Sequence, residues 1–383
     1  MSVESAAKRL AFTPERLAAL ERGDERPTVP QLRSIARVYK RPLATFFLPS
    51  APTLPTPIHD FRRVAEDAAP AEESTPFLFE LRSARRRRAI AQELLTELDQ
   101  SPVEFTISAR IDERFDLAAA RARKWIGVAL GVQESWHAQY DALNGWLAAF
   151  EKRGVLVFQT GSVPLSVMRG FSIADRVLPV IALNGKDSPR ARVFTLMHEF
   201  AHLMLSEGGV CDPLTISRGP ATHNVRIESF CNAVAGSILV PENAFNTLPM
   251  VADRRLGQEW PEEDIRQLAD LFAVSREVIV LRLRSARKVD DGFVTARLAQ
   301  YRREYRDREA EKAARPKDKA RKFGIPRYRI ALRNNGRSYT RLVFDALERD
   351  RITLADASDY LDLRIKHFEQ LEEAAHDTSQ AVE

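Results

Sequence analysis

The sequence predicts an α+β fold, mainly helical, in which a small antiparallel sheet leans on one central helix. Three observations carry that expectation. Most of the 383 residues fall into apolar patterns of helical period. Three short runs, Val155–Gln159, Ser166–Ile173 and Leu178–Asn184, have strand composition, and the last closes at the turn pair Asn184-Gly185. Directly after them comes Phe194-Thr-Leu-Met-His-Glu-Phe-Ala-His-Leu-Met-Leu205, an apolar, helix-forming stretch with ionisable groups at its middle. Ser188 reads as the N-cap of this helix and Pro189 as its first residue.

Composition sets the outer bounds. The chain is long enough for two or three domains, and 44% hydrophobic residues is ordinary for a folded globular protein. No apolar run has transmembrane length and the start carries no signal-peptide pattern, so a cytoplasmic protein with no membrane partner is expected. Cys211 and Cys231 are the only cysteines, which implies no disulfide framework, and they are not spaced as a zinc pair. A net charge of +5 with a pI near 9.2 fits an acidic or nucleic-acid partner, or equally solubilising charge in the linkers.

Residues 1–50 read as short helices: Ser2–Leu10, then Pro14–Glu21 with Thr13 as N-cap and Gly23 as stop, then Thr28–Tyr39, and a short Leu43–Leu48. The pattern Leu17, Glu21-Arg-Gly23, Pro27-Thr28, Leu32 and Ile35-Ala36 resembles the helix-turn-helix of phage-repressor-like (XRE) regulators. That resemblance places Pro14–Glu21 in a DNA major groove. The groups this helix offers, mainly Glu15, Arg16, Glu21 and Arg22, are a poor set for phosphates and bases, so Arg16 and Arg22 are weak DNA contacts at best. The first helix of the XRE pattern has no counterpart before Ser2. Docking of a protein is the competing use.

Residues 51–75 form a Pro-rich linker. A helix Thr75–Leu98 carries the basic run Arg82 and Arg85–Arg88, read as a solvated face or as a contact for nucleic acid or an acidic partner. Helices are expected at Asp116–Ala129 and Trp136–Arg153 ahead of the strands, and a helix pair at Glu262–Val274 and Ser275–Ser285 after the central ones. One domain is therefore expected over 76–290, with its core at 140–285. A charged helix or linker at 291–325 should then separate it from a small, mainly helical domain at 326–383. Within that last piece Tyr328–Leu332 reads as a short strand, followed by helices at Leu342–Arg349, Thr353–Leu361 and Lys366–Glu373.

The chemistry sits in His-Glu-x-x-His. His198 and His202, four apart, share one helix face and can reach one zinc ion at roughly 2.0–2.1 Å. Glu199 stands beside them, placed to hold a water and take its proton. Two histidines and a glutamate inside an apolar helix are costly to bury without such a role. No third histidine follows at the metzincin spacing, where Leu205 and Gly208 stand, so a third ligand must come from elsewhere. The next helical pattern, Val225–Val240, ended by Pro241, carries Glu228, 26 positions after His202. Glu228 is the gluzincin-like third ligand, or else a solvated first-turn glutamate that complements the helix dipole. Asn232, one turn on, could orient it. His223, read as a loop residue, is a fourth ligand, an oxyanion stabiliser or a plain surface histidine.

These motifs occur together: Gly154-Val-Leu-Val-Phe158, Arg169-Gly-Phe-Ser172, Pro179–Asn184, Phe194-Thr-Leu with His-Glu-x-x-His, then Glu228, Asn232-Ala and Leu239-Val-Pro241. In combination they resemble the ImmA/IrrE family of metallopeptidases, over roughly residues 140–285. The resemblance implies a zincin-like peptidase core, zinc on His198, His202 and Glu228, and Glu199 as base. It implies a protein substrate that is itself a helix-turn-helix repressor, whose cleavage releases stress-response or mobile-element genes. Zinc is the expected metal and manganese its alternative. A reading from another class remains: a DNA- or protein-binding, antitoxin-like regulator whose metal site is structural or silent.

Overall fold

The computed structural model describes residues 3–39, 43–48, 75–207, 221–314 and 325–377. The Pro-rich linker at 51–75, save its last residue, the segment with Cys211, residues 315–324 and the end of the chain lie outside the described residues. The architecture is mainly helical, with one three-stranded sheet. Among the described residues no helix is long and apolar enough to cross a membrane.

The strands are β1 (Leu156–Thr160), β2 (Gly170–Ile173) and β3 (Val180–Asn184), in the spatial order β1-β3-β2. β1 runs parallel to β3, with Leu156 opposite Val180, and β2 runs antiparallel to β3, with Gly170 opposite Leu183. The sheet is therefore mixed, not antiparallel as the sequence suggested. Consecutive strands favour hairpins, but β3 is Val-Ile-Ala-Leu-Asn and is buried throughout. A strand apolar on both faces takes the centre, which sends β2 to the outer edge.

Strand alternation splits the molecule into two cores, one on each face of the sheet. Val157, Ile181 and Leu183 join one core with the helix Pro189–Glu207, hereafter the motif helix, and the helix Ala221–Leu239, hereafter the ligand helix. Leu156, Phe158, Phe171, Val180 and Ala182 face the other way. There they meet Phe77, Leu81, Ala84 and Leu94, one stripe of the helix Thr75–Glu97.

The C-terminal helices complete that second core. Tyr339, Val343 and Phe344 of the helix Arg337–Glu348 and Leu371 of the helix Phe368–His376 bury in the same cluster. Residues expected to form a separate small unit thus cover the sheet. The strand expected at Tyr328–Leu332 is instead part of a helix, Arg327–Asn335. Ala331 and Asn335, four apart, are its buried residues, so the helical period overrides a short run of strand-like side chains. Arg87 and Arg88 of the basic run turn inward, while Arg86 stays at the surface. Arg87 stands 4.5 Å over the Phe158 ring and donates to the Asn334 carbonyl at 2.6 Å, while Arg88 donates to the carbonyls of Val177 and Leu178. Arg86 pairs with Asp359 at 2.5 Å.

The N-terminal helices, Val3–Leu10, Pro14–Arg22 and Val29–Tyr39, build a small core of their own from Ala6, Ala7 and Leu17. Thr13 caps the second of them by accepting from the Arg16 N–H, and Gly23 ends it at φ +83°, a left-handed conformation that suits glycine.

Candidate metal centre

The motif helix and the ligand helix cross in the first core and present their functional groups to each other. Phe200, Ala201 and Met204 of the first and Ile227, Val234 and Ile238 of the second are buried in that core. The C-terminal end of the ligand helix is pinned by two polar groups. Arg123 donates to the Ile238 carbonyl at 2.7 Å, and the fully buried Gln133 donates to the Leu239 and Phe272 carbonyls at 2.9 and 2.7 Å. Such bonds satisfy carbonyls that a helix end otherwise leaves open.

His198, His202 and Glu228 meet where the helices cross, each offering a ligand atom within 4.8 Å of the others. The two Nε2 atoms lie 3.1 Å apart. Glu228 brings Oε2 to 3.3 Å from His198 and Oε1 to 3.1 Å from His202. Among the described residues Oε1 is buried and, apart from His202, meets no hydrogen-bond donor, a state that a cation would relieve. Four-coordinate tetrahedral zinc with ligands at about 2.0–2.1 Å spaces its donor atoms by about 3.3–3.4 Å, close to what this trio shows. The two-imidazole, one-carboxylate set is that of an open zinc site with room for water or substrate. The residues present therefore fit a divalent metal.

Glu199 is buried at 5% exposure and accepts a hydrogen bond from Ser172 Oγ at 3.0 Å. Ser172 is the polar residue of β2 that alternation turns toward the motif helix. Gly170, two positions earlier, faces the same way and lets β2 approach that helix: a Cβ there would stand 2.5 Å from Thr195 Cγ2, 3.0 Å from the Ala182 carbonyl and 3.4 Å from Glu199 Cγ. Gly170→Ala is expected to cost about 1–3 kcal/mol by overpacking and to displace Glu199. Urea midpoints would register the first effect. Thr195→Ser removes the clashing methyl and should recover part of it; a Gly170→Ala chain as stable as the parent would refute this account.

Electrostatics bind the trio without a metal as well. Burial alone would raise the Glu228 pKa, but the two histidines outweigh it and hold the carboxylate down at about 2. Burial would lower the His202 pKa, but Cys231, Glu228 and Glu199 push it well above 6.5. A metal must displace that His202 proton, because only the neutral imidazole ligates. Metal affinity should then fall as pH falls below the raised His202 pKa, by about tenfold per unit for one proton. Competition against a chromophoric chelator across neutral to acid pH measures this, and a flat profile would contradict it.

Other candidate residues fare differently. Asn232 is exposed on the ligand helix. Cys231 takes the inward position: it is fully buried and hydrogen-bonded with His202, and burial raises its thiol pKa. His223 falls within the ligand helix, which begins earlier than expected, at Ala221 just after Pro220; its side chain lies outside what the structure describes. Arg16 and Arg22 each face a carboxylate of their own module, Glu25 at 3.7 Å and Asp24 at 2.8 Å. Ser172 and Cys231 were not singled out as site residues in the sequence, although Cys231 stands three residues after Glu228, on the same helical face.

Residues 150–284 match the IrrE N-terminal-like domain, the Peptidase_M78 family. The match spans β1 to β3, both helices of the trio and the helix pair beyond. It supports the ImmA/IrrE resemblance and suggests a metal-dependent peptidase. No curated protein matches the chain. Among solved structures it is similar to a Mycobacterium tuberculosis transcriptional regulator, with 16% identity and a TM-score of 0.31. That alignment covers 51% of this chain, which spans about half the length of that structure, 51%.

Proposed function

We propose that the chain is a zinc-dependent endopeptidase that cleaves a protein, namely a helix-turn-helix repressor. The observation that carries the reading is the convergence of His198, His202 and Glu228, with Glu199 buried beside them, inside the segment that matches a peptidase family. His198, His202 and Glu228 would hold a divalent ion, which would supply Lewis acidity to a scissile carbonyl and to a water. Glu199, oriented by Ser172, takes the proton of that water and passes it to the leaving amine. β2 is an edge of the sheet, on the Glu199 side, and can hold an extended substrate by backbone pairing. The N-terminal helices serve in docking the protein substrate, a use favoured by the pairing of Arg16 and Arg22 with carboxylates of their own module.

The test is incubation of the zinc-loaded chain with the XRE-type repressors encoded in its own genome, followed by intact-mass analysis. Cleavage at a discrete bond, stopped by a chelator and restored by zinc, is the expected result. Repressors left whole under all metal conditions, zinc and manganese included, would overturn the substrate assignment.

A further inference from the structure

A cavity of about 700 Å³ opens away from the metal trio, between the first core and the C-terminal helices. Its walls come from the helix Gln139–Lys152, from β1, from the first turn of the motif helix and from the helix Arg327–Asn335 with its successors. Four arginines line it: Arg192, Arg329, Arg333 and Arg337. Arg337 is committed to the fold, since its guanidinium donates to the carbonyls of Ala374 and Asp377 at 2.7 and 2.8 Å.

Arg192 is different. It is 4% exposed, donates to Gln159 Oε1 at 2.5 Å, and stands 5.7 Å from the ring centre of Tyr140, with whose side chain it is also hydrogen-bonded. Its Nε is buried with no hydrogen-bond partner. Among the described residues no carboxylate forms an ion pair with it. Asp187, whose charge reaches it, is bound by Arg169 at 2.7 Å. Burial lowers the Arg192 pKa, and the neighbouring charge of Arg333 lowers it further.

Arg333 reaches across from the C-terminal side. Among the described residues its side chain donates to the neutral amide of Asn334 at 3.3 Å and pairs with no carboxylate, and it rests on Gly161 and Gly185, just past the ends of β1 and β3. A Cβ at either glycine would lie 3.6–3.7 Å from its guanidinium. The acids on the wall do not neutralise the pair. Glu151 accepts from the Arg337 backbone N–H at 2.9 Å, and burial raises its pKa to about 7. Glu373 and Asp377 are exposed.

A buried guanidinium without a counter-charge, facing a second one across a cavity, is expensive unless an anion enters. We propose that this cavity binds a small phosphate-bearing molecule, chelated by Arg192 and Arg333. The planar guanidinium fork matches phosphate oxygens two at a time, and Tyr140 and Tyr328 also line the cavity. An anion there links the C-terminal helices to the first turn of the motif helix, six residues before His198.

The test uses the full-length, zinc-loaded chain in calorimetric titrations and thermal melts. The probes are AMP, inorganic phosphate and, as a dianion without phosphorus, succinate. Saturable binding of AMP or phosphate with a raised Tm is expected. Arg333→Gln should weaken it at least about tenfold at unchanged zinc content, and Arg192→Gln should do the same where it folds. No saturable binding of either phosphate probe at millimolar concentration, binding of succinate alone, or full affinity in Arg333→Gln would overturn the proposal. None of these readouts needs peptidase activity, so failure here is distinguishable from failure of the proposed function.

Discussion

Glu199→Gln is expected to leave fold and metal content intact and to lower turnover by about 10²–10⁴-fold. The carboxylate is not one of the three groups whose ligand atoms converge within 4.8 Å, so its charge is not needed to hold the ion. Glutamine has the same shape, and its carbonyl oxygen can still accept from Ser172 Oγ. What is removed is the ability to take a proton from water and return it to the leaving amine. Metal per chain by elemental analysis, together with the rate of repressor cleavage, separates three outcomes. Zinc retained with turnover lost supports the base. Zinc and turnover lost together would make Glu199 a ligand. Unchanged turnover would remove it from the chemistry and favour the regulator with a silent metal site.

Glu228→Ala and His198→Ala are each expected to lower metal affinity by more than the 10–100-fold that changes outside the ligand set typically cost, and so by more than about a hundredfold. Each takes one donor from a three-donor site. Glu228→Ala also leaves two imidazole nitrogens 3.1 Å apart without the carboxylate that pairs with both, and removes one of the groups that, with Cys231 and Glu199, hold the His202 pKa up. Zinc per chain after gel filtration, with far-UV circular dichroism to check the fold, reads the effect. A Glu228→Ala chain with full zinc and full activity would return Glu228 to the role of a dipole-complementing helix residue.

Local periodicity explains what was legible in the sequence and what was not. The placement of His198 and His202 on one face follows from 3.6 residues per turn, and the capping by Thr13 and Ser188 follows from side-chain chemistry within three residues. Glu228 was legible as a ligand candidate because it is a carboxylate near the start of a second apolar helix. The same period admits both Cys231 and Asn232 beside it, three and four residues on. Only the direction from which the motif helix approaches turns Cys231 inward and Asn232 out to solvent.

The strands repeat the lesson. Alternation puts Gly170 and Ser172 on one face and Phe171 and Ile173 on the other, and the sequence determines that much. Which face meets Glu199, and which strand sits at the centre, depends on partners remote in the chain. The basic run shows the greatest distance. A row of arginines on one helix reads as a solvated surface until Asn334, 247 residues from Arg87, and Asp359, 273 residues from Arg86, come to meet it. The sequence by itself determined most of the helices, the faces of the strands and the residue types that converge in the trio, because these rest on bonds and spacings within a few residues. The tertiary structure alone decided the order of the strands, the partial burial of Arg87 and Arg88 and the pairing of Ser172 with Glu199, because each depends on which distant surface excludes water from that face.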